Sequence, residues 1–418
     1  MTTPAAILSI GTEITRGELV NTNAAWLAEQ LTSLGFDVVT HLSVDDDVPR
    51  IVDALRDVSS RARVVLCTGG LGPTTDDLTA EAVAQALGVG LVRDAATLER
   101  IRRRWESLGR EMPESNLRQA DMPEGATVLR NDHGTAPGFS VEFGRTLFFF
   151  LPGVPSEMRG LFGDWVVSAV GPLTERTTYQ VHLRTFGRPE SQVADMLSDI
   201  EEKHEGVTLG YRAHFPEIEV KVLARATEPR LAEDRARAAA EEVRNRLGSI
   251  VFGDEADTFP AAVGRLLRRR NWTVAVAESC TGGLIGQKLT SVPGSSNYML
   301  MDAVCYSNAS KNRVLGVNNE ILRAHGAVSA ECAAAMAEGV LRIAGSDVAV
   351  SVTGIAGPDG GTAEKPVGTV FFALARAGEE TLSKRRQLPG DRDRVRELAA
   401  YVALDWVARA ARGDLAGN

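Results

Sequence analysis

Arg63-Val64-Val65-Leu66-Cys67-Thr68-Gly69-Gly70-Leu71-Gly72 is a short apolar run that stops at a loop with three glycines in four residues. A run of this length, bounded by glycine, reads as a buried strand. Upstream, residues 48–60 carry Ile51, Val52, Leu55 and Val58 at helical spacing. Residues 37–44 read as a strand, 23–34 as a helix and 5–10 as a first strand. This alternation predicts an α/β fold, a parallel sheet with helices on both faces. Ligands in such sheets sit at the carboxyl ends of the strands, where the loops after Ile10 and Cys67 both fall.

Downstream, residues 146–151 form a very apolar strand before Pro152-Gly153-Val154-Pro155, and the pattern changes near Gly171-Pro172. Residues 177–253 read as a small α+β module: strands over 179–185, 207–211 and 217–226, helices near 190–200 and over 231–247. A third unit opens with a helix over 261–270. Its strand 273–277 runs straight into Glu278-Ser279-Cys280-Thr281-Gly282-Gly283 and a helix. Residues 347–353 form another apolar strand, 368–375 and 382–388 an antiparallel pair, and 392–412 a closing helix. The expected domains are 1–172, 173–254 and 255–418. The length of 418 residues exceeds the ~250–300 at which one core stops growing.

The bulk composition narrows the function classes. The net charge is −9, and the two arginine runs, 100–104 and 268–270, sit on expected helices. Both features argue against nucleic acid as the main ligand. Cys67, Cys280, Cys305 and Cys332 form no CxxC pair, so neither a zinc knuckle nor a disulfide framework is indicated. There is no signal-like amino terminus and no apolar run near the ~20 residues of a membrane span, so a cytoplasmic protein with reduced thiols and no membrane partner is expected. Lysines are scarce: Lys203, Lys221, Lys288, Lys311, Lys365 and Lys384 stand among 46 basic residues. A lysine kept in such a chain is a candidate catalytic amine, which arginine cannot replace.

Three stretches of the last unit could carry chemistry. Ser279, Cys280 and Thr281 are adjacent candidate nucleophiles between a strand and a helix, where backbone N–H groups favour a phosphate or an oxyanion. The plain alternative is a capping hydroxyl beside a small buried thiol. Tyr306 and Lys311 lie five positions apart; with a helix starting near Asn308 or Ala309 they could face one pocket. A desolvated lysine can activate a serine, with a tyrosine relaying the proton. The plain alternative makes Lys311 a surface lysine and Tyr306 a core residue. Finally, Thr353 ends a strand before Gly354-Ile355-Ala356-Gly357-Pro358-Asp359-Gly360-Gly361, whose backbone can approach a ligand closely.

Taken together, these stretches resemble the CinA (competence/damage-inducible protein A) family. The matching segments of the last unit are 277–283, Tyr306-Ser307-Asn308, Gly326-Ala327-Val328-Ser329, 354–358, Lys365-Pro366-Val367-Gly368-Thr369-Val370 and Gly390-Asp391-Arg392. The resemblance implies a nicotinamide mononucleotide deamidase, with Ser279 as nucleophile and Tyr306 and Lys311 moving the proton. Thr281, Gly282, Gly283, Thr353, Gly354 and Arg392 would hold the substrate, with oxyanion donors expected among residues 281–283. No cofactor is implied for this step.

The first unit resembles the MoaB/MogA-like molybdopterin-binding domain that begins full-length members. The matching segments are Gly11-Thr12-Glu13, 17–23, 68–77 and 152–158. Some members hydrolyse ADP-ribose there with a divalent metal ion, a monovalent cation being a further candidate. Glu13, Asn23, Gly69, Gly70, Gly72, Asp76 and Asp77 would form that nucleotide and metal site, Asp77 and Asp76 as metal ligands. The two acids could instead simply start a helix. The middle module has the position of the family's KH-like module, yet no GXXG loop stands out for RNA. The resemblance also implies a homodimer in pyridine nucleotide salvage. Two alternatives remain: activity confined to the N-terminal pyrophosphatase site, or a non-catalytic, competence-related nucleotide-binding protein.

Overall fold

Alternate residues of the first strand, Thr3–Ile10, serve two different cores. Ala6, Leu8 and Ile10 pack with Ile51, Val52, Leu55 and Val58 of the helix Val48–Arg61. Ala5 and Ile7 pack with Ala24, Leu27 and Leu31 of the helix Thr22–Ser33 and with Met158 and Leu161. A strand whose side chains alternate between two apolar layers is buried on both faces, as a helix-covered parallel sheet requires. The structure is a computed structural model, and it describes residues 3–414.

The N-terminal sheet runs in the order Phe36–Val44, Thr3–Ile10, Val64–Thr68, Thr146–Leu151, Gly138–Phe143, Thr127–Leu129. Its first four strands are parallel, as expected. Its last two are antiparallel, which the parallel expectation did not include. The cause is local: Phe143 pairs with Thr146 across a two-residue turn at Gly144-Arg145, with Gly144 at φ 65°. Such left-handed tight turns join antiparallel neighbours.

The middle module is a four-stranded sheet, ordered Val207–His214, Glu217–Ala226, Thr177–Thr185, Val251–Asp254, with the helix Pro229–Leu247. By contacts the chain divides into two compact units, Met1–Gln180 with Glu205–Val207 and Leu223–Arg237, and Val181–His204 with Thr208–Val222 and Ala238–Asn418.

The C-terminal sheet runs Met299–Val304, Val274–Glu278, Val348–Gly354, Thr369–Arg376, Leu382–Gln387. The first three strands are parallel and the last two antiparallel. The central strand again alternates. Val274 and Val276 join the core under the helices Phe259–Arg270 and Arg392–Arg412. Ala275 and Ala277 join the core with Leu315, Cys332, Met336 and Val340. Cys332, Met336 and Val340 lie on Ala330–Ala344, a helix that the sequence reading passed over because its alanine-rich stripe carries few large apolar residues. Among the described residues no helix is long and apolar enough to cross a membrane.

Candidate active site

The Val274–Glu278 strand ends where its neighbours hold it. The Ser279 N–H donates to the Val352 carbonyl at 3.0 Å, and the Cys305 N–H donates to the Glu278 carbonyl at 2.8 Å. The chain then turns through Gly282 (φ 64°) and Gly283 (φ 94°), conformations that glycine adopts without steric cost. The following helix, Leu284–Thr290, begins five residues beyond Ser279. The nucleophile candidate therefore lies in the turn and not in the first turn of the helix.

A second helix brings the amine. Asn308–Leu315 opens with a capping box in which the Ser310 N–H donates to Ser307 Oγ at 3.1 Å and the Ser307 N–H donates to Ser310 Oγ at 3.1 Å. This cap places the helix start where the Lys311 proposal needs it. Lys311 Nζ lies 2.9 Å from Ser279 Oγ, 2.7 Å from the Cys305 carbonyl oxygen and 3.4 Å from that of Tyr306. Lys311 is 1% exposed and Ser279 8%. The plain alternative is reversed on both counts, because the lysine is buried and Tyr306 is 62% exposed.

Burial decides the electrostatics. It pushes the Lys311 ammonium below its ordinary pKa, since its polar neighbours are neutral oxygens. In the neutral amine two N–H groups can stay on the two carbonyls, and the lone pair then faces the Ser279 hydroxyl. Burial pushes the Cys280 thiol up to about 12, so the thiolate needed for attack is not available near neutral pH. Thr281 is fully buried, with its hydroxyl unpartnered. Of the three adjacent candidates, Ser279 alone has an amine at hydrogen-bond distance.

Around this pair the expected substrate residues are distributed unevenly. Arg392 donates to the Tyr306 hydroxyl at 3.1 Å and to the Gly357 carbonyl at 2.6 Å, joining the tyrosine to the glycine-rich loop. The Tyr306 phenol thus sits on Arg392, and the expected relay through Tyr306 to Ser279 is not assembled here. Thr353 is buried and donates to the Ala327 carbonyl at 2.7 Å, so its hydroxyl ties down the Gly326–Ser329 segment. Gly354 closes its strand so tightly that a Cβ would lie 2.8 Å from the Thr369 carbonyl oxygen.

The expected oxyanion donors also need correction. The Gly282 N–H is taken by the Ser279 carbonyl at 3.1 Å, and the Gly283 N–H by Glu278 Oε2 at 2.9 Å. That leaves the amides of Cys280 and Thr281 in the same turn, which meet the Cys280 sulfur and no oxygen acceptor. The Thr281 carbonyl accepts from Arg396 at 3.0 Å. Neither Glu278 nor Arg396 was given a role from sequence, where an acid at a strand end and an arginine on a helix look like ordinary surface charge.

The N-terminal candidates line a cavity of about 360 Å³ at the carboxyl ends of the sheet, including Glu13, Gly69, Gly70, Gly72, Asp76 and Asp77. Asn23 lies beside it, donating to the Gly153 carbonyl at 2.7 Å. Asp46, and Glu157 of the matching segment 152–158, have no site role from sequence and join the lining. Both Asp77 oxygens are engaged within its own loop. One oxygen accepts from the Gly72 N–H at 2.7 Å, and the other from the Thr74 N–H at 2.7 Å and the Thr74 hydroxyl at 2.5 Å. It braces its own loop. Among the described residues no three His, Cys, Asp or Glu side chains gather as a ligand set. The residues therefore do not fit a preassembled divalent-metal site, and no catalytic step is drawn through one.

Comparison with known proteins accords with this architecture. Residues 256–411 match the CinA C-terminal domain, residues 6–171 a probable molybdopterin binding domain, and residues 180–253 the damage-inducible protein CinA KH domain. A CinA-like protein from Geobacter sulfurreducens is 44% identical over 410 residues, covering 97% of this chain and 98% of its own. One from Geotalea uraniireducens is 41% identical over 406 residues, covering 97% and 96%. A solved structure of the protein CinA from Thermoplasma acidophilum covers 41% of this chain and 98% of its own, at 33% identity and a TM-score of 0.38. With relatives matched along nearly its whole length, the chain belongs to the CinA family, built from a MoaB/MogA-like N-terminal domain, a KH-like middle domain and a CinA C-terminal domain.

Proposed function

We propose that the C-terminal domain hydrolyses the carboxamide of nicotinamide mononucleotide, releasing ammonia and nicotinic acid mononucleotide. The observation that carries this reading is the buried contact of Lys311 Nζ with Ser279 Oγ at 2.9 Å. The substrate itself rests on the family resemblance of the surrounding motifs. Neutral Lys311 takes the Ser279 proton as Oγ attacks the carboxamide carbon. The amides of Cys280 and Thr281 are the donors left to stabilise the oxyanion. The lysine then returns the proton to the departing nitrogen, and ammonia leaves a nicotinoyl ester on Ser279. Water, deprotonated by the same lysine, hydrolyses that ester and restores the serine. Arg392, fixed by the Gly357 carbonyl, offers its charge to the substrate phosphate, with Tyr306 beside it.

The test is ammonia release from nicotinamide mononucleotide, with and without chelator, by the wild type and Ser279→Ala. Chelator-resistant release that vanishes in the variant supports the amidase. No release from the wild type rejects it.

A second reading concerns the N-terminal cavity, whose glycine backbone and strand-end position suit a nucleotide phosphate. ADP-ribose is the candidate ligand there, and its hydrolysis, assayed with and without an added divalent ion, tests the pyrophosphatase.

A further inference from the structure

The turn that carries Ser279 hangs from a carboxyl group that the amidase reading leaves unused. Glu278 is fully buried, and its two oxygens accept from the Gly283 N–H and the Gly286 N–H, each at 2.9 Å. These amides bracket the start of the Leu284–Thr290 helix. One side chain, immediately before the nucleophile, thus ties together the strand end, the turn and the helix.

Behind it stands a second acid. Asp302 lies on the neighbouring parallel strand, opposite Val276 and one diagonal step from Glu278. Both carboxyls meet the same residue, Gly286, whose N–H donates to Glu278 Oε1 at 2.9 Å and whose Cα lies against Asp302. A Cβ on Gly286 would sit 2.1 Å from Asp302 Oδ2, so glycine is what lets the helix lie against the acid pair. Asp302 Oδ1 is buried without a partner. The cations on the packed elements are committed elsewhere: Lys288 to Glu397 at 2.6 Å, Arg396 to the Thr281 carbonyl, and Lys311 to Ser279 and Cys305. The remaining titratable neighbours, Cys280 and Cys305, are buried thiols.

Two adjoining carboxyls, Glu278 fully and Asp302 partly buried, with no cation held by either, do not readily both ionise. Glu278 accepts an N–H on each oxygen, which leaves Asp302 as the member of the pair placed to donate. Burial and the neighbouring Glu278 carboxyl push Asp302 up to about 7. We propose that Glu278 and Asp302 form a singly protonated carboxyl pair in which Asp302 donates to Glu278, and that this pair positions the Ser279 turn against Lys311. Glu278 is a positioning residue, since it acts through the turn. Loss of the shared proton sets two charges against each other under the helix and loosens the turn, so turnover falls on the alkaline side. The effect on turnover rests on Ser279 being the nucleophile, whereas the pair itself does not.

The experiment compares the wild type with Asp302→Asn and Glu278→Gln. Infrared spectroscopy with isotope-labelled aspartate reads the carboxyl directly, whatever the activity. A protonated aspartate band is expected below neutral pH, lost at alkaline pH and missing from Asp302→Asn. A wild type with every aspartate ionised just below neutral pH overturns the pair. Ammonia release across the same range is the second readout. The asparagine amide donates to Glu278 at every pH, so the alkaline decline disappears in Asp302→Asn. Glu278→Gln keeps only one accepting atom for two N–H groups, so kcat falls about tenfold or more while KM moves by less than about threefold. An alkaline decline that persists in Asp302→Asn, or an unchanged kcat in Glu278→Gln, overturns the positioning role. If the wild type releases no ammonia, the amidase reading fails, and the infrared band still decides the pair.

Discussion

Replacing Lys311 by methionine removes the amine from Ser279 while keeping an unbranched side chain in the same buried space. A positioned general base contributes about 10²–10⁴-fold to rate, so kcat for ammonia release should fall by at least about 100-fold. Two effects on stability oppose each other. The Cys305 carbonyl loses its 2.7 Å donor, and a buried acceptor left unpaired costs about 1–3 kcal/mol. Against this, methionine needs no desolvation of an amine. The net change should stay within about 2 kcal/mol, leaving a folded protein whose lost activity is chemical.

The pH dependence separates the two parts. Because burial depresses the Lys311 pKa, the folded protein binds fewer protons than the unfolded chain between that depressed value and the ordinary lysine value. Stability contributed at this site therefore rises with pH across that window, by about 1.4 kcal/mol per pH unit, and is lowest below it. Lys311→Met should flatten this rise in thermal unfolding measured at neutral and alkaline pH. Activity of the wild type should fall on the acid side as the amine is protonated. Lys311→Arg should be equally inactive, since a guanidinium does not act as a base near neutral pH. A methionine variant that stays folded and retains turnover within about tenfold of the wild type would refute the role of Lys311 as base.

Ser279→Ala should abolish ammonia release, by about 10³-fold or more, while substrate affinity by calorimetry stays within about threefold; weak binding would instead give Ser279 a structural role. Arg392→Ala should raise KM by about 10–100-fold through loss of a charge-assisted contact, and an unchanged KM would remove it from the substrate site. Asp77→Ala frees three donors in the Gly72–Thr74 loop and should lower the stability of the N-terminal domain by about 1–3 kcal/mol; differential scanning calorimetry showing no shift would leave the aspartate free for another role. Light scattering should give the mass of a dimer, the assembly implied by the family resemblance, and a monomeric mass would reject it.

How far the chain could be read depended on what each residue's neighbours in sequence reveal about its neighbours in space. The strands Thr3–Ile10, Val64–Thr68 and Val348–Gly354 are buried on both faces, so continuous apolar runs announced them. The closing helix Arg392–Arg412 was legible to the residue, because Asp391 caps it and Gly413 ends it in a left-handed conformation. Ala330–Ala344 was not, because small residues pack closely without an obvious apolar stripe. Tyr306 and Lys311 defeated residue-type reasoning in the opposite sense. Ordinary preference puts tyrosine inside and lysine outside, and the structure exchanges them. That exchange costs desolvation at Lys311, which fits an amine kept neutral for chemistry better than one kept for solubility.

The same limit explains why the donors around Ser279 were misassigned. Glycines after a nucleophile invite the inference that their N–H groups are free, and sequence carries no sign of which acceptors reach them. Here there are two acceptors: the Ser279 carbonyl takes the Gly282 N–H, and Glu278, directly before the candidate nucleophile, turns back to take that of Gly283. The glycines are present because the turn needs left-handed backbone at Gly282 and Gly283 and because Gly286 must clear Asp302. With the Gly282 and Gly283 amides occupied, the proposed oxyanion site falls to Cys280 and Thr281, and the proposed acid pair would act on it through the turn alone, touching no reacting atom.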